Sequence, residues 1–158
     1  MRVGLALVGC CAWFGGATAY GQVPGTNGAI ALDRDQDGYY QIFRQGTVGS
    51  VQLRLSSGGW NDRLPSYAPD GRRLVFVSDR AGTSQIYLMN ADGSQQKAVT
   101  ANAASNSGPA FSPDGGRVVF SSSQGGKYDI YSARTDGTDQ QRLTMDSAED
   151  DSPSYAPD

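Results

Sequence analysis

The chain has 158 residues, with 13 Lys and Arg against 16 Asp and Glu, for a formal charge of −3. Leaving out residues 1–19, which hold Arg2 and no acid, makes the balance more acidic still, so a phosphate-tracking surface is disfavoured and nucleic acid is excluded as a partner. No histidine occurs anywhere, which removes Ser-His-Asp and Cys-His catalysis and any metal site built on imidazole.

Arg2 precedes an apolar run from Val3 to Phe14, and Ala17-Thr18-Ala19 offers small residues at cleavage positions. Residues 1–19 therefore read as an export signal peptide, with a mature chain beginning near Tyr20 and a periplasmic or secreted location. Leu7-Val8-Gly9-Cys10 also fits a bacterial lipoprotein box, which would leave a lipid anchor on Cys10. The apolar run is too short to span a bilayer, which takes about 20 residues in a helix, so no transmembrane segment is expected. Cys10 and Cys11 both fall inside this leader, and no disulfide is open to the mature chain.

Beyond the leader the sequence repeats. Pro65-Ser66-Tyr67-Ala68-Pro69-Asp70-Gly71 returns as Pro109-Ala110-Phe111-Ser112-Pro113-Asp114-Gly115 and again as Pro153-Ser154-Tyr155-Ala156-Pro157-Asp158, in steps of 44 residues. Without a gap, residues 65–100 and 109–144 share 15 of 36 positions, where unrelated segments would share roughly 2 or 3. Carried backwards, the same step sets Ile30 under Leu74, Leu32 under Phe76 and Ile42-Phe43 under Ile86-Tyr87, so a more diverged unit covers about 28–56. A period near 40–45 residues with short strands and turn residues in each unit is the mark of a β-propeller blade.

In that first unit Asp33-Arg34-Asp35-Gln36-Asp37-Gly38 matches the opening of a calcium loop, three carboxylates at alternate positions and then a glycine. The twelfth position, where a bidentate glutamate belongs, is Arg44. The repeat supplies a second reading, an ordinary solvated loop, because Asp35 and Gly38 align with Asp79 and Gly82. Calcium at 33–38 is the one cofactor the sequence suggests.

The unit 65–100 then predicts four strands. Ser66 to Ala68, closed by prolines, reads as the inner strand, and Pro69-Asp70-Gly71 as a tight turn. Arg73 to Ser78 is apolar on both faces, as a strand buried between two neighbouring blades must be. Gln85 to Asn90 is the third strand, Asp92-Gly93 a hairpin turn, and Gln96 to Thr100 the outer strand. Matched aromatics (Tyr67, Phe111 and Tyr155; Phe76 and Phe120; Phe43, Tyr87 and Tyr131) read as inter-blade core, since core contacts must repeat while ligand contacts need not. Residues 109–144 repeat the unit, and 153–158 open another. Both complete copies continue into a glycine where this chain stops at Asp158, so it reads as part of a longer protein. Asp146, Glu149, Asp150 and Asp151 replace Asn102, Ser105, Asn106 and Ser107 in a connecting loop, so their charge is not demanded by the fold and could face solvent or a basic partner.

The Pro-x-aromatic-Ser/Ala-Pro-Asp-Gly motif, followed by Ser78-Asp79-Arg80-Ala81-Gly82, Ile86-Tyr87 and Asn90 to Gly93, resembles the TolB-like β-propeller repeat family over about 28–158. The resemblance implies an all-β fold, an open arc of four-stranded antiparallel blades: about two full blades plus partial ones. It implies a non-catalytic exported scaffold for an unidentified protein partner or an envelope component. The competing expectation is the amino-terminal propeller of a larger hydrolase of the prolyl oligopeptidase kind. No Gly-x-Ser-x-Gly nucleophile turn occurs in the chain, and no catalytic, cofactor-binding or metal-ligating residue is assigned.

Overall fold

In a computed structural model, residues 28–46 and 51–156 are described. The expected leader 1–19 with Cys10, and the last two residues of the closing motif, lie outside the described residues.

Among the described residues eleven strands form three antiparallel sheets. The first holds β1 (Ile30–Gln36), β2 (Tyr39–Gln45) and β3 (Leu53–Arg54). The second holds β4 (Asp62–Tyr67), β5 (Arg73–Ser78), β6 (Gln85–Asn90) and β7 (Lys97–Ala98), in that order. The third repeats it with β8 (Asn106–Phe111), β9 (Arg117–Ser122), β10 (Asp129–Arg134) and β11 (Gln141–Arg142). Every strand of the third sheet begins 44 residues after its counterpart in the second. The architecture is an open arc of propeller blades.

The middle strand of the central blade shows why the pattern is apolar on both faces. Leu74 and Phe76 turn towards the first blade, packing with Ile42, Leu55 and Met89. Val75 and Val77 turn the other way, packing with Ile86, Leu88, Val99, Phe111, Val118 and Phe120. Phe76 and Phe120 are fully buried, each side chain contributing about 2 kcal/mol of apolar burial.

The inner strand differs from expectation. It spans Asp62–Tyr67 and not Ser66 to Ala68, because the ladder with β5 shifts register between Arg63 and Ser66. That bulge takes Pro65 out of the ladder, so its missing N–H leaves no gap. Leu64 sits there at φ 54, the same bulge recurs at Gly108 (φ 57), and Ser152 shares the left-handed φ (54). The outer strand is shorter than expected, two residues in place of Gln96 to Thr100, since β6 pairs with it only through Tyr87 and Leu88. The segment 33–38 is not a loop: β1 and β2 pair from Ile30 to Gln36 and close through Asp37-Gly38, both at positive φ (59 and 88), a two-residue hairpin turn.

Glycine decides how closely blades stack. Gly93 (φ +87) lies where a Cβ would stand 2.5 Å from the carbonyl oxygen of Leu55 in the first blade. Gly137 (φ +89) meets Val99 of the second blade at 2.8 Å in the same way.

Candidate functional site

Each blade ties down the segment that leads to the next one with a buried polar side chain at the start of its third strand. In the first blade the Gln41 amide donates to the Trp60 carbonyl at 2.8 Å and accepts from Ser56 Oγ. In the second, Gln85 Nε2 donates to the carbonyls of Asn102 (2.9 Å) and Ala104 (2.8 Å), while its Oε1 accepts from Asn106 Nδ2. In the third, Asp129 stands at that position and has no amide to donate. Lys127 takes over, bonding both the Asp129 carboxylate and the Ala148 carbonyl, and Arg142 closes the other carboxylate oxygen at 2.8 Å. The Lys127 ammonium foremost, with Arg142, holds the Asp129 carboxyl below the usual carboxylate range against the cost of desolvation. These are structural ties.

The same end of the blades carries residues that the repeat does not require. Tyr39, Tyr40, Trp60, Arg63 and Leu64 stand where the second unit has Thr83, Ser84, Ala104, Ser107 and Gly108. The structure brings them together. The Arg63 guanidinium lies 4.2 Å from the centroid of the Tyr40 ring and 3.7 Å from Asp33 Oδ2. Asp33 Oδ1 accepts from the Leu64 N–H at 3.1 Å, which fixes the bulge and leaves the Leu64 side chain outward. Tyr39, Leu64 and the Arg63 side chain remain 42, 48 and 51% exposed. Beneath them Arg80 Nη2 donates to both carboxylate oxygens of buried Asp62 (3.0 and 3.1 Å), Nη1 donates to Gln96 at 2.9 Å, and the guanidinium lies 5.2 Å from a Trp60 ring centroid and 4.6 Å from that of Tyr87. Asn61 accepts from the Tyr40 N–H and donates to both carboxylate oxygens of Asp79 (2.7 and 2.8 Å), tying the two hairpins at this junction. The result is a surface of aromatic faces and one exposed guanidinium held rigidly from below.

The sequence-level candidates fare differently. Of the calcium motif, Asp33 is engaged by Arg63 and Leu64, Asp35 accepts from the Gly38 N–H at 3.2 Å, and Asp37 from the Gln36 amide. Among the described residues no group of three or more acidic, Cys or His side chains is placed to hold a metal. Of the acidic cluster, Asp146 accepts from the Ala148 N–H and Asp151 from Ser121 Oγ, while one buried Asp150 oxygen has no hydrogen-bond partner. Asp70, Asp92, Asp114 and Asp136 each accept from a backbone N–H two residues on, as turn aspartates do. The aromatic and arginine surface was not singled out from sequence. Its signal was there as the set of positions at which the 44-residue repeat breaks towards Trp, Tyr and Arg.

The TolB β-propeller domain family matches residues 14–158. The chain belongs to this family. A putative TolB from Agrobacterium tumefaciens is 27% identical, with a TM-score of 0.69 over 73% of this chain and 45% of that one. TolB from Acinetobacter baumannii is 26% identical, with a TM-score of 0.66 over 77% and 31%. The TolB-like chain thus spans less than half the length of either. Dipeptidyl peptidase 4 from Porphyromonas gingivalis, 18% identical with a TM-score of 0.59 over 75% of this chain and 17% of that one, shares the fold alone. No protein of curated function matches the chain. Among the described residues no helix is long and apolar enough to cross a membrane.

Proposed function

We propose that this TolB-like chain is a non-catalytic, exported propeller module that binds a protein partner or envelope component through Tyr39, Tyr40, Trp60, Arg63 and Leu64. The observation that carries the reading is the clustering, on one junction, of side chains that break the repeat. Trp, Tyr and Arg are the residues that dominate binding energy at protein interfaces. They are rigidly supported here, so little ordering entropy opposes binding. The leader at 1–19 supports export to the periplasm or beyond. The lack of any histidine and of a nucleophile turn supports a binding role over catalysis.

A photo-crosslinking amino acid placed at Tyr39 in the exporting cell tests this. A discrete adduct is expected, weakened by Arg63→Ala and absent when the probe stands at Ala81, an exposed turn position of the second blade. Equal adducts from both positions, or none from Tyr39, would overturn the assignment.

A further inference from the structure

Arg73 opens β5 and Arg117 opens β9, 44 residues on, yet the two side chains are treated differently. In the third blade the Arg117 guanidinium is engaged within its own sheet: Nη1 donates to Asp139 Oδ2 at 2.6 Å, Nη2 to the Asp139 carbonyl at 2.9 Å, and Nε to Ser132 Oγ at 3.1 Å. In the second blade both partners are replaced, Asp139 by Gln95 and Ser132 by Leu88. Gln95 and Asp139 share a left-handed backbone (φ 56 and 52), so their side chains leave the hairpin alike. Arg73 is held through Nη2, which donates to the Gly115 carbonyl at 3.1 Å and stands 3.6 Å from Asp70 Oδ2, and the guanidinium lies 5.6 Å from the Phe111 ring centroid. Among the described residues its Nε and Nη1 have no hydrogen-bond partner.

A cleft of about 390 Å³ opens where the missing carboxylate would be, lined by Arg73, Leu88, Asn90, Gln95, Lys97 and Thr135 among others. Val75 and Leu88 turn towards the third blade, so Arg73 and its cross-strand partner Asn90, and Lys97 opposite Leu88, share that face. Thr135 comes from the third blade itself, its N–H bonded to the Gly116 carbonyl at 3.2 Å. The cleft therefore lies between two blades, at the opposite end of β5 from the Asp62 and Arg80 pair that supports the Tyr39 surface.

We propose that this cleft binds a small hydroxylated carboxylate, of the sugar-acid kind, whose carboxylate takes on Arg73 the place that Asp139 holds on Arg117. The planar guanidinium offers two free donors in the fork geometry that a carboxylate accepts. Lys97 adds a second cation at the rim, close enough to bear on the Asp136 carboxyl as well. The Asn90 and Gln95 amides and the Thr135 hydroxyl are the groups that pair with ligand hydroxyls, and Leu88 gives the floor an apolar patch. A volume of about 390 Å³ suits one small molecule, at the lower end of the usual range for ligand pockets. The fold does not require this set, since the first blade has Ala29, Val51 and Leu53 in place of Arg73, Gln95 and Lys97. The site is separate from the Tyr39 surface and stands or falls without it.

Calorimetric titration of the full chain, as the cell processes it, with glucuronate is expected to give saturable binding with a Kd of about 1 mM, and glucose and glucose 6-phosphate should each bind roughly tenfold or more weakly. Arg73→Gln should weaken glucuronate binding roughly tenfold or more. Gln95→Asp, which supplies the internal carboxylate of the third blade, should weaken it as much with an unchanged circular dichroism spectrum and no fall in Tm. Arg72→Gln, which removes the same charge from an exposed neighbour, should leave binding unaltered. No saturation by about 20 mM glucuronate, equal affinity for glucose or glucose 6-phosphate, equal losses from Arg72→Gln and Arg73→Gln, or a folded Gln95→Asp chain that binds as before would each overturn the site.

Discussion

In the second blade a neutral amide, Gln85, holds the segment leading to the third blade; one step along, Asp129, Lys127 and Arg142 hold the next segment with charge. Strand lengths and register are the same in both blades. The carbonyl that must be satisfied is equivalent too, Ala104 in one and Ala148 in the other. What the fold requires at this place is therefore a donor aimed at a buried carbonyl, and not a particular side chain. The two solutions differ in what breaks them, because an amide does not titrate and a carboxylate does.

The largest effect is expected where both blades depend on glycine. Gly93→Ala forces a Cβ onto the Leu55 carbonyl at a strained φ and should cost about 3 kcal/mol by denaturant unfolding. Gly137→Ala, with 2.8 Å of room where Gly93 has 2.5 Å, should cost less. Equal costs would mean that the first two blades are not packed more closely than the second and third.

Next come the ties themselves. Gln85→Leu removes the donor to the Asn102 and Ala104 carbonyls and one of several acceptors of the Asn106 amide, and should cost about 2 kcal/mol. Gln85→Asp alone should also destabilise, since it places a carboxylate beside those carbonyls. Adding Thr83→Lys and Ala98→Arg, the counterparts of Lys127 and Arg142, should recover most of the loss. Failure of the triple variant to regain thermal stability over the single one would show that the ionic tie depends on more than these three residues.

Acid should separate the blades. Asp129 has its folded-state pKa lowered, first by Lys127; Asp139 is lowered first by Arg117 and Asp114 by Ser112, whereas Asp136, lowered first by Thr138, is matched in the second blade by Asp92, lowered first by Ser94, so the difference between the blades rests on the first three. A lowered folded pKa means stability that is present above the unfolded value, near 3.9, and lost as pH falls through the folded value. Below about pH 4, hydrogen exchange protection, corrected for intrinsic rates, should fall in β10 and β11 before β6 and β7. The reverse order would refute the ionic tie as a source of stability.

The smallest effect is a gain. The Tyr67 hydroxyl is buried without a hydrogen-bond partner, and burial first of all raises its pKa. Phe111 occupies the matching position in the third blade. Tyr67→Phe should raise stability by about 1 kcal/mol, and a fall in Tm would mean the hydroxyl has a partner in solution.

Periodicity alone made the blade legible. The span of β5 and of β6 matches the reading from apolar runs and turn residues, because a strand buried on both faces leaves a continuous apolar segment. The inner strand was misjudged, because a proline inside a strand reads as a boundary unless the bulge that absorbs it is seen. The Asp33 to Gly38 segment was ambiguous for the same reason: side-chain spacing is shared by a metal loop and a strand, and only the pairing of β1 with β2 distinguishes them. The candidate site was written in the exceptions to the repeat, yet Tyr40 and Arg63 are 23 positions apart, and nothing local in the chain says that they touch. Sequence by itself determined the module, its strand order and its buried faces, since these follow from short-range patterns recurring at a fixed interval. The tertiary structure decided which side chains of different blades meet and how the buried carbonyls are satisfied, because those depend on the stacking of sheets, a long-range contact that no local pattern encodes.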